Sequence, residues 1–187
     1  MTLGKQMKNA SKLDYPIDVS CLAESIVTPF REYTRLQRYS KGLGNYDWVA
    51  DSGWGVRNKT ISNEDRFIEQ LPSHLLSLER PYILYLELPA SDTVNPVLPA
   101  HRDYGKNCSI NIYLETNQES TVFYKWNREK QISEFDEEFC ANTGDVWLLN
   151  TDVPHSVILK QNKARRMITI CFSKLKYNEV LECFKTI

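Results

Sequence analysis

After Glu79 the chain becomes a succession of short aromatic and β-branched runs separated by polar turns, and this constrains the fold more than any other feature. Tyr82 to Leu88 is followed by Cys108 to Glu115, Thr121 to Trp126, Val146 to Asn150, Ser156 to Leu159 and Met167 to Phe172. Closely spaced strands of this kind predict an antiparallel sandwich or barrel. The 187 residues are 42% hydrophobic and 25% charged, which is enough apolar material for a core and excludes disorder, collagen and small disulfide scaffolds.

The flanks read differently. Met1 to Asp14 is polar and basic with little periodicity, a loose leader or a docking arm. Between Val19 and Arg38, Leu22, Ile26, Phe30 and Tyr33 recur at three- or four-residue spacing and predict an amphipathic helix, interrupted or restarted at Pro29. Gly42, Gly44, Gly53 and Gly55, set among Trp48 and Trp54, indicate a structured loop. A second helix is expected to open at Ser62 or Asn63 and run toward Leu78 despite Pro72; His74 within it reads as a surface or packing residue. Val180, Leu181 and Phe184 give a last helix at helical spacing. The expected organisation is one domain over 1–187: helical and loop support in 1–80, a β core in 81–173 and a helix in 174–187.

Lys plus Arg total 23 against 24 Asp plus Glu, so no global field favours nucleic acid or an anionic membrane, and no apolar run approaches the length of a membrane span. Five widely spaced cysteines with no CxxC pair, and no hydrophobic signal core, lead to the expectation of a reducing cytoplasm. Cys108 and Cys171, inside apolar runs, read as small buried hydrophobes.

Two of the three histidines stand in particular contexts. His101-Arg102-Asp103 lies just before a strand, and His155 lies just after the run that ends at Asn150. In a strand, residues i and i+2 point to one side, so His101 and Asp103 can reach one ion while Arg102 points away. His155 would add a third ligand from a neighbouring strand and leave three octahedral positions open, the pattern associated with non-haem Fe(II). An HxD tripeptide and a distant histidine are by themselves equally compatible with ordinary strand-end residues. A further clue is Lys163-Ala164-Arg165-Arg166, which sets a guanidinium at the start of the next strand, where arginine can bind a carboxylate bidentately.

Through HRD at 101–103, GDVWLLNTDVPH at 144–155 and RRMITICF from 165, the sequence resembles the Fe(II)- and 2-oxoglutarate-dependent oxygenases over about residues 82–173. The resemblance implies a mainly β fold with flanking helices, a double-stranded β-helix of the jelly-roll, cupin-like kind. It implies iron held by His101, Asp103 and His155, and an arginine paired to the distal carboxylate of 2-oxoglutarate. With Fe(II), Asp103, the dianionic cosubstrate and one arginine, the charges cancel, and burying an unbalanced charge would cost several kcal/mol.

Period two then separates the arginines. Arg165, Met167, Thr169 and Cys171 share one face and suit a cavity; Arg166, Ile168, Ile170 and Phe172 share the other and look like core. The family's spacing also selects Arg165, with Arg166 as the alternative. By the same alternation Ser109, Asn111 and Tyr113 form a polar face, and the resemblance makes Asn111 and Tyr113 candidates to touch 2-oxoglutarate or substrate; an ordinary solvent-facing strand side is the alternative. Trp147 and Asn150 stay unassigned.

The implied activity is hydroxylation of a small substrate, a free amino acid or peptidyl residue, using molecular oxygen and releasing succinate and CO2. Retention of Asp103 sets the chain apart from halogenases, which have a small residue there. The strands look most like the aspartyl/asparaginyl β-hydroxylase and proline hydroxylase branch, although the former usually lack the acidic ligand. The alternatives are a cupin-like metal protein that does not use 2-oxoglutarate and a catalytically silent binding barrel.

Overall fold

Strand after strand, the alternation of side chains resolves into two antiparallel sheets. The computed structural model describes residues 7–20, 22, 31–32, 35–40, 45–50, 57–61, 64–88, 97–103, 105–116, 118–130, 132–158, 160 and 163–185. Along them run β1 (Ala10–Lys12), β2 (Arg31–Glu32), β3 (Arg35–Ser40), β4 (Asn45–Ala50), β5 (Arg57–Thr60), α1 (Asp65–Ile68), α2 (Ser73–Leu78) and β6 (Tyr82–Leu88). There follow β7 (Val97–Arg102), β8 (Cys108–Glu115), β9 (Ser120–Asn127), β10 (Ile132–Cys140), β11 (Val146–Leu149), β12 (His155–Ile158), β13 (Arg165–Phe172) and α3 (Tyr177–Lys185).

The last eight strands pair as one long hairpin. β9 meets β10 at its tip, then β8 meets β11, β7 meets β12, and β6 meets β13 at the open end. The hairpin is rolled so that its successive turns fall on two sheets, with β11-β8-β13-β6 adjacent in one and β10-β9-β12-β7 adjacent in the other. That is a double-stranded β-helix, or jelly roll, as the sequence leads one to expect. Earlier strands widen it: β1 lies outside β11, β5 and β2 outside β6, and β3 and β4 outside β7.

Those additions correct part of the sequence reading. The helix expected over Val19 to Arg38 is replaced by strand at Arg31–Glu32 and from Arg35 onward, because β3 pairs along its length with β4 and also with β7. Cross-strand partners override an apolar spacing that mimics a helix. The glycine-rich stretch likewise contains β4, while Gly42, Gly44, Gly53, Gly55 and Trp54 lie outside the described residues, as do Ile26, Phe30 and Pro29. The single helix expected up to Leu78 is two short ones on either side of Pro72, whose missing N–H and restriction of the preceding residue break the ladder. β10 has no counterpart in the sequence reading.

The β11-β8-β13-β6 sheet has two unlike faces. Ile83, Ile110, Ile112, Leu148, Ile168, Ile170 and Phe172 pack outward against Phe67, Leu75, Val180 and Leu181 of the helices. Tyr113, Trp147, Leu149 and Met167 turn inward and meet Phe123 and Phe139 of the other sheet. Cys108 and Cys171 are fully buried fillers, and burial pushes both thiols up, away from the reactive thiolate. Among the described residues no helix is long and apolar enough to cross a membrane.

The N-terminal segment is a docking arm from residue 7 onward. β1 adds to β11, and Tyr177 of α3 reaches the Ser11 hydroxyl at 2.7 Å and donates to the Met7 carbonyl at 3.2 Å. An irregularity in β10 at Asp136 breaks the alternation, so that two successive acids serve the same segment. Asp136 pairs with Lys8 at 2.9 Å, and Glu137 accepts from the backbone amides of Lys8 and Asn9.

Glu79 fixes the turn that leads from β13 into α3. Its buried carboxylate accepts from the amides of Ser173, Lys174 and Leu175 and from the Ser173 hydroxyl, at 2.8–3.1 Å. Burial alone would raise its pKa, but these hydrogen bonds outweigh it and hold the carboxyl below its ordinary 4.5. A depressed folded pKa contributes stability that is complete above the unfolded value and is lost as pH falls through the folded one. Glu79→Gln should therefore cost about 1–3 kcal/mol at neutral pH. In denaturant titrations against pH, the gap from the wild type should narrow below pH 4.5.

Candidate metal centre

β7 and β12 run side by side and antiparallel, and their register sets His155 directly opposite His101. The two imidazoles, 4% and 6% exposed, stand with ring centroids 4.5 Å apart. Asp103 follows His101 by two residues, and its amide donates to the Thr151 carbonyl at 3.2 Å, which anchors the end of β7 against the β11–β12 connection. Its carboxylate sits between the rings, with Oδ1 3.7 Å from Nε2 of His101 and Oδ2 3.7 Å from Nε2 of His155. One ligand atom from each residue lies within 4.8 Å of the others. The i, i+2 reading is thus realised in space: Arg102 turns away and pairs with Asp152.

The protonation states suit a dication. His155 Nδ1 is 3.0 Å from the Val153 carbonyl, an acceptor only, so Nδ1 carries the proton and Nε2 keeps its lone pair. Burial first, and the neighbouring His101 second, bring the His155 pKa down to about 4. For Asp103 burial acts upward, but the Lys106 ammonium 3.0 Å from Oδ2, followed by His155 and His101, holds the carboxyl at about 2. At neutral pH His155 offers a neutral nitrogen and Asp103 an anionic oxygen, the forms a metal requires.

On the opposing sheet, the inward face of β8 and β13 carries the other expected residues. Ser109, Asn111, Tyr113 and Thr169 are all buried, so this is not a solvent-facing strand side. Asn111 lies opposite Thr169 and accepts from the Ser109 hydroxyl at 3.2 Å. Arg165 points inward with its side chain 11% exposed, and its Cζ is 5.6 Å from the centroid of the Tyr113 ring. Arg166 points outward, 44% exposed, and pairs with Glu115 at 2.6 Å and Glu87 at 3.7 Å. The Tyr113 hydroxyl is buried without a hydrogen-bond partner of good geometry among the described residues. Phe123 connects the two regions, touching the His155 ring at 5.8 Å and packing in the same cluster as Tyr113 and Met167.

Sequence reasoning missed two residues here. Lys106, 11% exposed, holds Asp103, and Glu119, 1% exposed, accepts from Arg165 Nε at 2.6 Å. Neither sits in a motif; their charge, in segments bounded by buried strands, was the available signal. With them the four charges of Asp103, Lys106, Arg165 and Glu119 already cancel in pairs. Trp147, Asn150 and His74 have packing partners. Trp147 stacks on Phe139 at 4.1 Å and donates to Asp145 at 3.3 Å. Asn150 donates to Asn9 at 3.3 Å, and His74 lies 2.9 Å from the Cys183 carbonyl across α2 and α3. A groove of about 560 Å³ beside the N-terminal segment, lined by Lys12, Tyr15, Ile17, Thr143 and Asp145 among others, is not lined by His101, Asp103 or His155.

No family model matches the sequence, and no curated protein matches it. Solved structures similar to the fold include oxygenases and cupins. A prolyl hydroxylase from Trichoplax adhaerens, in complex with a hypoxia inducible factor peptide, is 13% identical over 74% of this chain and 71% of that one, with a TM-score of 0.45. The ribosomal oxygenase YcfD from Escherichia coli is 11% identical over 81% of this chain and 43% of that one, with a TM-score of 0.37. An oxalate decarboxylase is 9% identical over 67% of this chain, with a TM-score of 0.38, and the chain spans 28% of its length. Likeness at this level carries no chemistry; the jelly-roll assignment stands on the strand order.

Proposed function

We propose that the chain is an Fe(II)- and 2-oxoglutarate-dependent dioxygenase that hydroxylates a small substrate, a free amino acid or a peptidyl residue, in the cytoplasm. The observation that carries this reading is the convergence of buried His101 and His155 with half-buried Asp103, two nitrogens and one carboxylate with ligand atoms within 4.8 Å. A two-histidine, one-carboxylate set with positions left open suits non-haem Fe(II). Bound iron, with 2-oxoglutarate and oxygen, would supply the oxidising power, giving hydroxylated product, succinate and CO2.

The protein's own groups fit that cosubstrate. Arg165 supplies a guanidinium in the lumen, the buried Tyr113 hydroxyl supplies a donor beside it, and Asn111 lines the same face. Because the four buried charges cancel, a dication taken up together with a dianion leaves the lumen neutral, which avoids the several kcal/mol of an unbalanced buried charge. This revises the charge count made from sequence, which lacked Lys106 and Glu119. Phe123, Phe139 and Met167 pack with Tyr113 into one apolar cluster and would make the surroundings of the bound cosubstrate apolar. The free cysteines among the described residues are in keeping with a reducing compartment.

One observation favours a second reading. Arg165 is already paired with Glu119, and a neutralised arginine attracts a carboxylate less strongly, as would suit a cupin-like metal protein that does not use 2-oxoglutarate. Anaerobic titration of the Fe(II)-loaded protein with 2-oxoglutarate separates the two. The proposed function requires a saturable visible charge-transfer band, absent in Asp103→Ala. Iron binding without such a band assigns the protein to the second reading.

A further inference from the structure

We propose that Glu119 competes with the distal carboxylate of a 2-oxo acid for Arg165, and so sets how strongly the lumen prefers a dicarboxylate over an analogue with an uncharged end. This rests on the proposed role of Arg165 and Tyr113 as the anchor for that end. Glu119 comes from the connection between β8 and β9 and is 1% exposed, and its carboxylate oxygen lies 2.6 Å from Arg165 Nε. Removed from water, that carboxylate is paired with the Arg165 guanidinium.

The geometry leaves a ligand only part of the guanidinium. With Nε taken, an incoming carboxylate must approach the Nη edge, near the buried Tyr113 hydroxyl. It would then share one cation with Glu119, and two carboxylates around a single positive charge oppose each other. Phe123, Leu149 and Met167, packed in the same cluster as Tyr113, keep the local dielectric low and strengthen that opposition. A carboxamide in the same place accepts from Arg165 and Tyr113 through its carbonyl and brings no charge. Glu119→Gln keeps an oxygen for Nε while removing the rival charge.

The test uses the full chain loaded with manganese(II), with two probes: 2-oxoglutarate and the analogue whose distal carboxylate is replaced by a carboxamide. Calorimetry gives both dissociation constants for the wild type and for Glu119→Gln. The expected result is that preference for the dicarboxylate rises in the variant by on the order of tenfold or more, chiefly through tighter 2-oxoglutarate binding. Should Glu119→Gln unfold because Arg165 has lost its counterion, 2-oxoglutarate with metal should restore a folded, cooperative melt and the carboxamide should not. An unchanged or reduced preference in a folded variant, or no such rescue in an unfolded one, overturns the inference while leaving the oxygenase reading intact. Failure of both probes to bind the metal-loaded wild type overturns that reading and the inference with it.

Discussion

In His155→Ala the affinity for ferrous iron or manganese(II) should fall by more than about a hundredfold, while the protein stays folded. Partners that merely orient a metal ligand are worth about 10–100-fold in affinity, and here the ligand itself is removed. What remains is His101 and Asp103, two donors from one strand end, with no group from β12 to close the set. Thermal melts with and without metal give the measurement: the wild type should gain stability with the ion, and His155→Ala should gain none. Asp103→Asn should also lose the ion, but with a different signature. It removes the carboxylate charge 3.0 Å from the Lys106 ammonium, which is 11% exposed, and should destabilise the metal-free protein by about 3–5 kcal/mol. Metal-dependent stabilisation that survives in His155→Ala would remove that residue from the site.

The convergence of His101, Asp103 and His155 was legible in the sequence because strand geometry is regular. His101 and Asp103 need only period two to share a side, and a histidine at the start of another strand needs only the right neighbour, which the rolled hairpin supplies at His101 opposite His155. The arginine choice was legible for the same reason, since Ile168, Ile170 and Phe172 mark the core side of β13 and leave Arg165 to the lumen. Other features had no periodic trace. β10 is an edge strand that is exposed on much of both faces, with Ile132 and Phe135 in solvent and a bulge at Asp136, so its apolar residues keep no single phase. The false helix over Val19 to Arg38 is the reverse case, a helical spacing in residues whose partners on β4 and β7 lie far along the chain. Lys106 and Glu119 showed in the sequence only as charges beside strands, because their partners Asp103 and Arg165 meet them through the fold.

Arg165→Ala should destabilise the protein by about 3–5 kcal/mol, because it removes the guanidinium paired with the carboxylate of Glu119, which is 1% exposed. Arg166→Ala, one residue along, should cost within about 1 kcal/mol, since that side chain is 44% exposed and its partners Glu115 and Glu87 remain near solvent. The same contrast should hold for the ligand: 2-oxoglutarate binding is expected to weaken in Arg165→Ala and to be unaffected in Arg166→Ala. Denaturant melts of the two variants check the first statement and calorimetry of the metal-loaded proteins checks the second. Replacing Arg165 and Glu119 together by apolar residues should recover most of the lost stability, because the pair is then removed whole. The comparison also reads the register of β13 against β6 and β8. A slip of one residue would exchange every inward side chain of that strand for an outward one. Thr169 and Cys171 would then leave the lumen for the helix-covered face, and Arg166, not Arg165, would be the residue whose loss is severe.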